Sequence, residues 1–236
     1  METEQNMQKG IRNILMRIFT VLIVPLSFYV CDAKVLAAEE QELTSESENK
    51  EIVNDVAIVG AIEKLETLEV SKNMDISQVM GFTADELEQI LLNGRDTQGN
   101  QLITDDELAR ELAEGVIEAV KVYPVNEMCV ISIMSFETGH FTSSAVIKHN
   151  NYAGDKFNGK IMHFETDAEG ISKGVMYIYD NMIATGPTIR DINMKYCEID
   201  PPQEGETKKE EEARIYRWSN KIVSVMRMYT KIKESE

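Results

Sequence analysis

The sequence predicts a mainly α fold (α+β) with a small β-lobe or loop region, and three features predict it. Capping-box patterns open amphipathic stretches at Thr83-Ala-Asp-Glu86, Thr104-Asp-Asp-Glu107 and Thr207-Lys-Lys-Glu210, where side chains satisfy the free N–H groups of a helix start. One segment, Val125 to Phe136, is apolar nearly all round, the pattern of a helix buried at a domain's centre. By contrast, Asn150 to Phe164 is rich in turn residues, with Gly154 and Gly159 among Asn150, Asn151, Asp155 and Asn158. IMHF is the best strand candidate there.

The N-terminus is a different kind of segment from the rest. Lys9, Arg12 and Arg17 precede the apolar run IFTVLIVPLSFYV, from Ile18 to Val30, and the small-residue stretch VLAAEE follows. A basic region, about a dozen apolar residues and an A-x-A-like site describe a secretory signal peptide over residues 1–37, cleaved after Ala37 or Ala38. The run is short for a membrane anchor. Cys31 follows the bulky Phe28, Tyr29 and Val30 rather than the small residues of a lipidation site. The chain is therefore expected to be exported from the cell.

Residues 38–72 combine an acidic linker with a helix. Glu39 to Asp55 is rich in Glu, Ser and Asn and reads as solvated. From Ile52 to Val70, Val56, Val59 and Ile62 (or Ile58, Ile62 and Leu65) recur with Leu68 at helical spacing. This helix packs on the main domain or mediates contact with a protein partner or a second copy, and the pattern does not separate these.

Residues 73–232 read as the main domain. The first helix carries Leu87, Ile90 and Leu91 and stops at Gly94, and the second carries Leu108, Leu112 and Val116. Pro124 precedes the apolar helix. Further helices are expected from about Ala168 to Ala184 and from Thr188 to Cys197. PPQEGETKKEEEAR is polar loop, and the Thr207 box within it opens one final helix with Ile215, Trp218, Ile222 and Met226 on one face.

Composition bounds the function. The chain has 236 residues, 43% of them hydrophobic, and a net charge of −17. That is enough apolar matter for a real core, and the acidity argues against a nucleic-acid binder, which needs a basic face. Three cysteines are too few for a disulfide framework. After export, Cys129 and Cys197 remain; an oxidising compartment permits a bridge, while Cys129, inside MCVISIM, also fits a small buried hydrophobe.

The chemistry concentrates in SFETGHFTSSAVIKHNNYAG, from Ser135 to Gly154. Glu137 stands at the C-terminal end of the most apolar helix. Partial desolvation there disfavours the anion and raises the pKa, as a general acid acting on a glycosidic oxygen requires. Gly139 lets the chain turn away and opens the carboxyl to a cleft.

ETGHFTSS followed by KHNNYAG resembles the E-[ST]-G-x-x-[TS]-S…NN-[LY]-x-G pattern of bacterial peptidoglycan endo-β-N-acetylglucosaminidases, family 73 of the glycoside hydrolases (mannosyl-glycoprotein endo-β-N-acetylglucosaminidase-like domains). Upstream, MDISQVMGFTADELEQILL is similar to the family's entry helix. Downstream, HFETDAEGISKGVMYIYDNMI is similar to its F-x-[ST]-x-x-x-G-I segment. GPTIRDINMKYCEIDPP, then Trp218 and Val223, resemble its closing block. Together these cover about Met74 to Ile232.

The resemblance implies a lysozyme-like fold, a glycan substrate in the peptidoglycan and no cofactor. It implies that Glu137 is the catalytic acid and that Ser143 closes the motif. Asn150, Asn151 and Tyr152 would be the cleft-lining element, and Tyr196 an active-site tyrosine. His140 takes a position often held by an aromatic residue, where it touches substrate or packs. A second carboxylate is less well marked: Glu165 and Asp155 flank the short β-lobe, Asp167 and Glu169 come next, and Glu169 suits the start of the following helix. The substrate's own N-acetyl group is a further candidate nucleophile.

Other readings fit less of the sequence. Glu137-x-x-His140, with His149 and His163, lacks HExxH and the usual ligand separations, so no metal is expected. A cysteine peptidase would need an accessible, electropositive thiol, which Cys129 is not. A lytic transglycosylase would carry G-L-M-Q where NNYAG stands, and a muramidase would share the fold. A degenerate wall-binding module would have no reason to keep Glu137, Asn150-Asn151-Tyr152 and Tyr196.

Overall fold

Helices account for most of the fold, as the capping signals and apolar periodicities predict. A computed structural model describes residues 52–196, 201–202 and 205–232. The signal peptide, the linker before residue 52, and Cys31 and Cys197 lie outside the described residues. Among those described, no helix is long and apolar enough to cross a membrane.

Helix α1 covers residues 52–66, four short of the expected end. It buries Ala57, Ala61 and Leu65, the face ending at Leu65 rather than the one through Val56 and Val59, both of which are exposed. Lys64 Nζ donates to Glu86 Oε2 at 2.5 Å and to Gly81 O at 2.8 Å. From Asn54 onward the chain forms one compact unit, so this helix is part of the main domain.

Helix α2 (Ala84–Asn93) starts on a complete capping box between Thr83 and Glu86. Helix α3 (Asp106–Val120) starts one residue later than expected, with Asp105 as its cap in place of Thr104. The Asp105 carboxylate accepts from both Glu107 N and Leu108 N, leaving the threonine outside the helix.

Helix α4 (Glu127–Glu137) is buried at every position from Glu127 to Ser135. Glu127 is fully buried yet satisfied: its carboxylate accepts from the N–H groups of Met80, Gly81 and Phe82, and so ties the 74–82 loop to the start of α4. Around this axis pack α9 on one side and α3 and α6 on another. Each fully buried aliphatic side chain contributes about 1.5–3 kcal/mol relative to exposure.

Helix α5 (Ser144–His149) is a short element that the sequence pattern does not reveal. A two-residue hairpin follows, β1 (Lys156–Phe157) pairing antiparallel with β2 (Lys160–Ile161). Only Ile161 of the expected IMHF strand belongs to it. Helix α6 (Asp167–Thr185) is capped by Thr166, and α7 (Ile189–Tyr196) follows. The single final helix is in fact two, α8 (Lys208–Ile215) and α9 (Arg217–Thr230), broken at Tyr216. The polar α8 buries nothing, whereas α9 buries Trp218, Ile222, Val223 and Met226.

Candidate active site

Glu137 is the last residue of α4 and is half-buried. Its Oε1 accepts a hydrogen bond from Trp218 Nε1 at 2.7 Å. Burial raises the pKa of its carboxyl, the Trp218 N–H lowers it, and the negative charge of Asp155 raises it again. The net direction is upward, towards a carboxyl that keeps its proton.

The chain leaves Glu137 through a strained turn. Gly139, His140 and Phe141 all have positive φ, at 60°, 57° and 65°. The last two are residues for which that region costs about 1–2 kcal/mol each. Thr138 holds the turn: its Oγ1 donates to Met134 O and accepts from Phe141 N, and its carbonyl accepts from Ser143 N. Such stored strain clusters at functional sites.

Asn150-Asn151-Tyr152-Ala153-Gly154 packs directly against the acid. A Cβ on Gly154 would lie 3.6 Å from Glu137 O and 3.7 Å from Glu137 Cβ, so the loop's backbone at Gly154 comes close to the base of the Glu137 side chain. Opposite, any side chain on Gly170 of α6 would collide with Asn150 O, and one on Gly174 would meet Met134 and Ala153. These two glycines let the helix seat the loop.

The side chains of this element bond mainly to the protein itself. Asn151 is fully buried, and its amide donates to Asp155 O and Met162 O while its Oδ1 accepts from Asp155 N. Tyr152 is 1% exposed and donates its hydroxyl to Asp167 at 2.6 Å. Asn150, in the left-handed region, donates to Phe164 O. Asn151 braces the loop from within, since a buried amide must use its hydrogen bonds internally, while the part-buried Asn150 also borders a cavity between α3 and α6. What the loop presents is Asp155, half-buried, its pKa raised by desolvation.

A row of rings leads to the acid. Tyr196 stacks on Trp218 (4.6 Å, 15°), and Tyr177 stands edge-on to Tyr196 (5.6 Å, 77°). Tyr196 is held protonated by burial. Its hydroxyl and the Asn181 amide nitrogen are both buried with no hydrogen-bond partner among the described residues, although Asn181 is near enough to ease the tyrosine's ionisation. Both aromatic residues are placed by one buried network, in which Asn193 accepts from Ser219 N and Oγ and donates to Ile215 O.

The remaining candidates lie elsewhere. His140 turns towards the core, its Nδ1 2.8 Å from Ser135 Oγ, which is 3.0 Å from Tyr229 Oη. Burial lowers its pKa, against the pull of Asp96. Ser143 caps α5 without a side-chain bond, its Oγ buried. Glu165 borders a separate cavity of about 660 Å³ between α3 and α6, with Glu111, Glu114, Glu118 and Asp167. Glu169 closes the start of α6, accepting from Glu165 N. Cys129 is buried, and burial pushes its thiol pKa far up. Among the described residues, no group of three or more His, Cys, Asp or Glu side chains is arranged to hold a metal ion.

Sequence reading missed the roles of Trp218, Asn193 and Tyr177. The donor and the acid are 81 residues apart, and no local pattern joins them. Compared with known proteins, the chain matches no family model and no curated sequence.

Proposed function

We propose that the protein is a secreted peptidoglycan hydrolase that cleaves the β-1,4 bond between N-acetylglucosamine and N-acetylmuramic acid, with Glu137 as general acid. The observation that carries this reading is the half-buried Glu137 carboxyl, held by Trp218 at the end of a buried helix, beside a second carboxylate and an aromatic row. A carboxyl whose pKa is raised by burial and whose direction is fixed can donate to a glycosidic oxygen as the C–O bond breaks. The choice of glycan, and of a lysozyme-like fold, comes from the resemblance of the ETGHFTSS…NNYAG segment to family 73. Tyr196 supports the reading by stacking on Trp218, the donor to the acid. Glu165, named with it from the sequence, borders another cavity. The chain's partners on this reading are glycan strands, and export follows from the N-terminal pattern.

Mass spectrometry of digested sacculi tests the bond. N-acetylglucosamine reducing ends support the proposal, anhydro-muramyl ends indicate a transglycosylase, and N-acetylmuramic acid ends a muramidase. Glu137→Gln should lower kcat by about 100-fold or more, as loss of a general acid does. Full activity in that variant would refute the site.

A further inference from the structure

We propose that Asp155 is the second catalytic carboxylate, the general base that activates the attacking water while Glu137 serves as the acid. The proposal rests on the glycosidase reading above and deepens it. It starts from the backbone: a Cβ on Gly154 would lie 3.6 Å from Glu137 O and 3.7 Å from Glu137 Cβ, and Asp155 is the next residue, its Cα about 3.8 Å further on.

The loop is built to hold that residue still. Asn151, fully buried, clamps Asp155 at both its N–H (3.0 Å) and its carbonyl (2.9 Å). Met162 N donates to the same carbonyl at 3.0 Å, so the hairpin closes the loop from the other side. Meanwhile the Asp155 carboxylate itself, half-buried, makes no hydrogen bond or ion pair among the described residues. A fixed backbone carrying an unpaired, partly desolvated carboxylate is costly to stability and typical of a functional group. Its charge acts on Glu137, which places the two in one electrostatic unit. The other acidic residues after the loop are differently occupied: Asp167 receives Tyr152, Glu169 caps α6, and Glu165 faces the α3–α6 cavity.

The step balances with water alone. Glu137 gives its proton to the glycosidic oxygen as the C1–O bond breaks. The water oxygen bonds to C1 from the opposite face, and its proton passes to Asp155. The products are an alcohol and a hemiacetal of inverted configuration, and the two carboxyls return to their starting states by exchange with solvent.

The test uses the full chain on soluble glycan strands, comparing wild type with Glu137→Gln, Asp155→Asn, Asp155→Ser and Glu165→Gln, with near-UV circular dichroism as the check on folding. A natively folded Asp155 variant should lose about 100-fold or more in kcat, with KM nearly unchanged and Glu165→Gln close to wild type. An Asp155 variant that stays active beside an inactive Glu137→Gln overturns this assignment alone. Proton NMR of the wild-type reaction reads the mechanism independently of any variant. An α-anomer as first product supports a base, and a β-anomer overturns it. Wild-type protein that releases no N-acetylglucosamine ends overturns the glycosidase reading, and the assignment with it.

Discussion

Glu137 sits between opposing influences, and Trp218 is the one that can be removed cleanly. Its indole N–H favours the Glu137 anion, while burial and Asp155 favour the acid. Trp218→Phe keeps a ring for Tyr196 to stack on and deletes only the donor. The Glu137 pKa should then rise further, because the anion loses the Trp218 hydrogen bond. An acid active while protonated loses activity as pH climbs through its pKa. The alkaline limb of the kcat profile should therefore move to higher pH in this variant, and a limb moving to lower pH would contradict the assignment. The sequence exposes half of this arrangement. A Glu ending an apolar helix is legible from residues 125–137, because burial follows from the pattern itself. The Trp218 donor is not legible, because it arrives from another helix.

Between elements, α7 and α9 meet through Asn193 and Ser219, both fully buried. The contact fixes the register that stacks Tyr196 on Trp218. Asn193→Ala would leave the Ser219 N–H and the Ile215 carbonyl without partners, at a cost of about 1–3 kcal/mol for each buried group left unsatisfied. A lower melting temperature together with a lower kcat is expected, since the ring stack and the Glu137 donor share this anchor. Unchanged kcat in the folded variant would show that the stack does not position the acid. Helix existence here was readable from capping and periodicity. The break at Tyr216 was not, because apolar spacing runs on through it, and the division appears only where α9 must meet α4 and α7.

For the molecule as a whole, the lower boundary of the main domain moves. The linker-and-helix segment expected to end at residue 72 contains α1, whose Ala57, Ala61 and Leu65 enter the core. A chain starting at residue 73 should lose about 2–4 kcal/mol relative to one starting at residue 52, read as a fall in melting temperature. The Glu86 carboxylate would also lose Lys64. Deleting this segment therefore removes stability along with any targeting function. The fair probe of a partner surface is a polar replacement of the exposed Val56 and Val59, which leaves the buried face intact.

The sequence by itself determined the helical class, the buried central helix, the acid at its end and the small loop region, all of which rest on periodicity and local hydrogen bonding within a few residues. It also contained the Asn150–Gly154 block. Those side chains look like groups offered to a ligand, and in the fold Asn151 holds Asp155 while Tyr152 bonds Asp167. Only the tertiary structure decided that, and only it brought Trp218 to Glu137, stacked Tyr196 against it and set Glu165 on another cavity. The physical reason is common to all four. A side chain's role depends on which surfaces are removed from water when distant helices pack, and neighbours in the chain do not encode that.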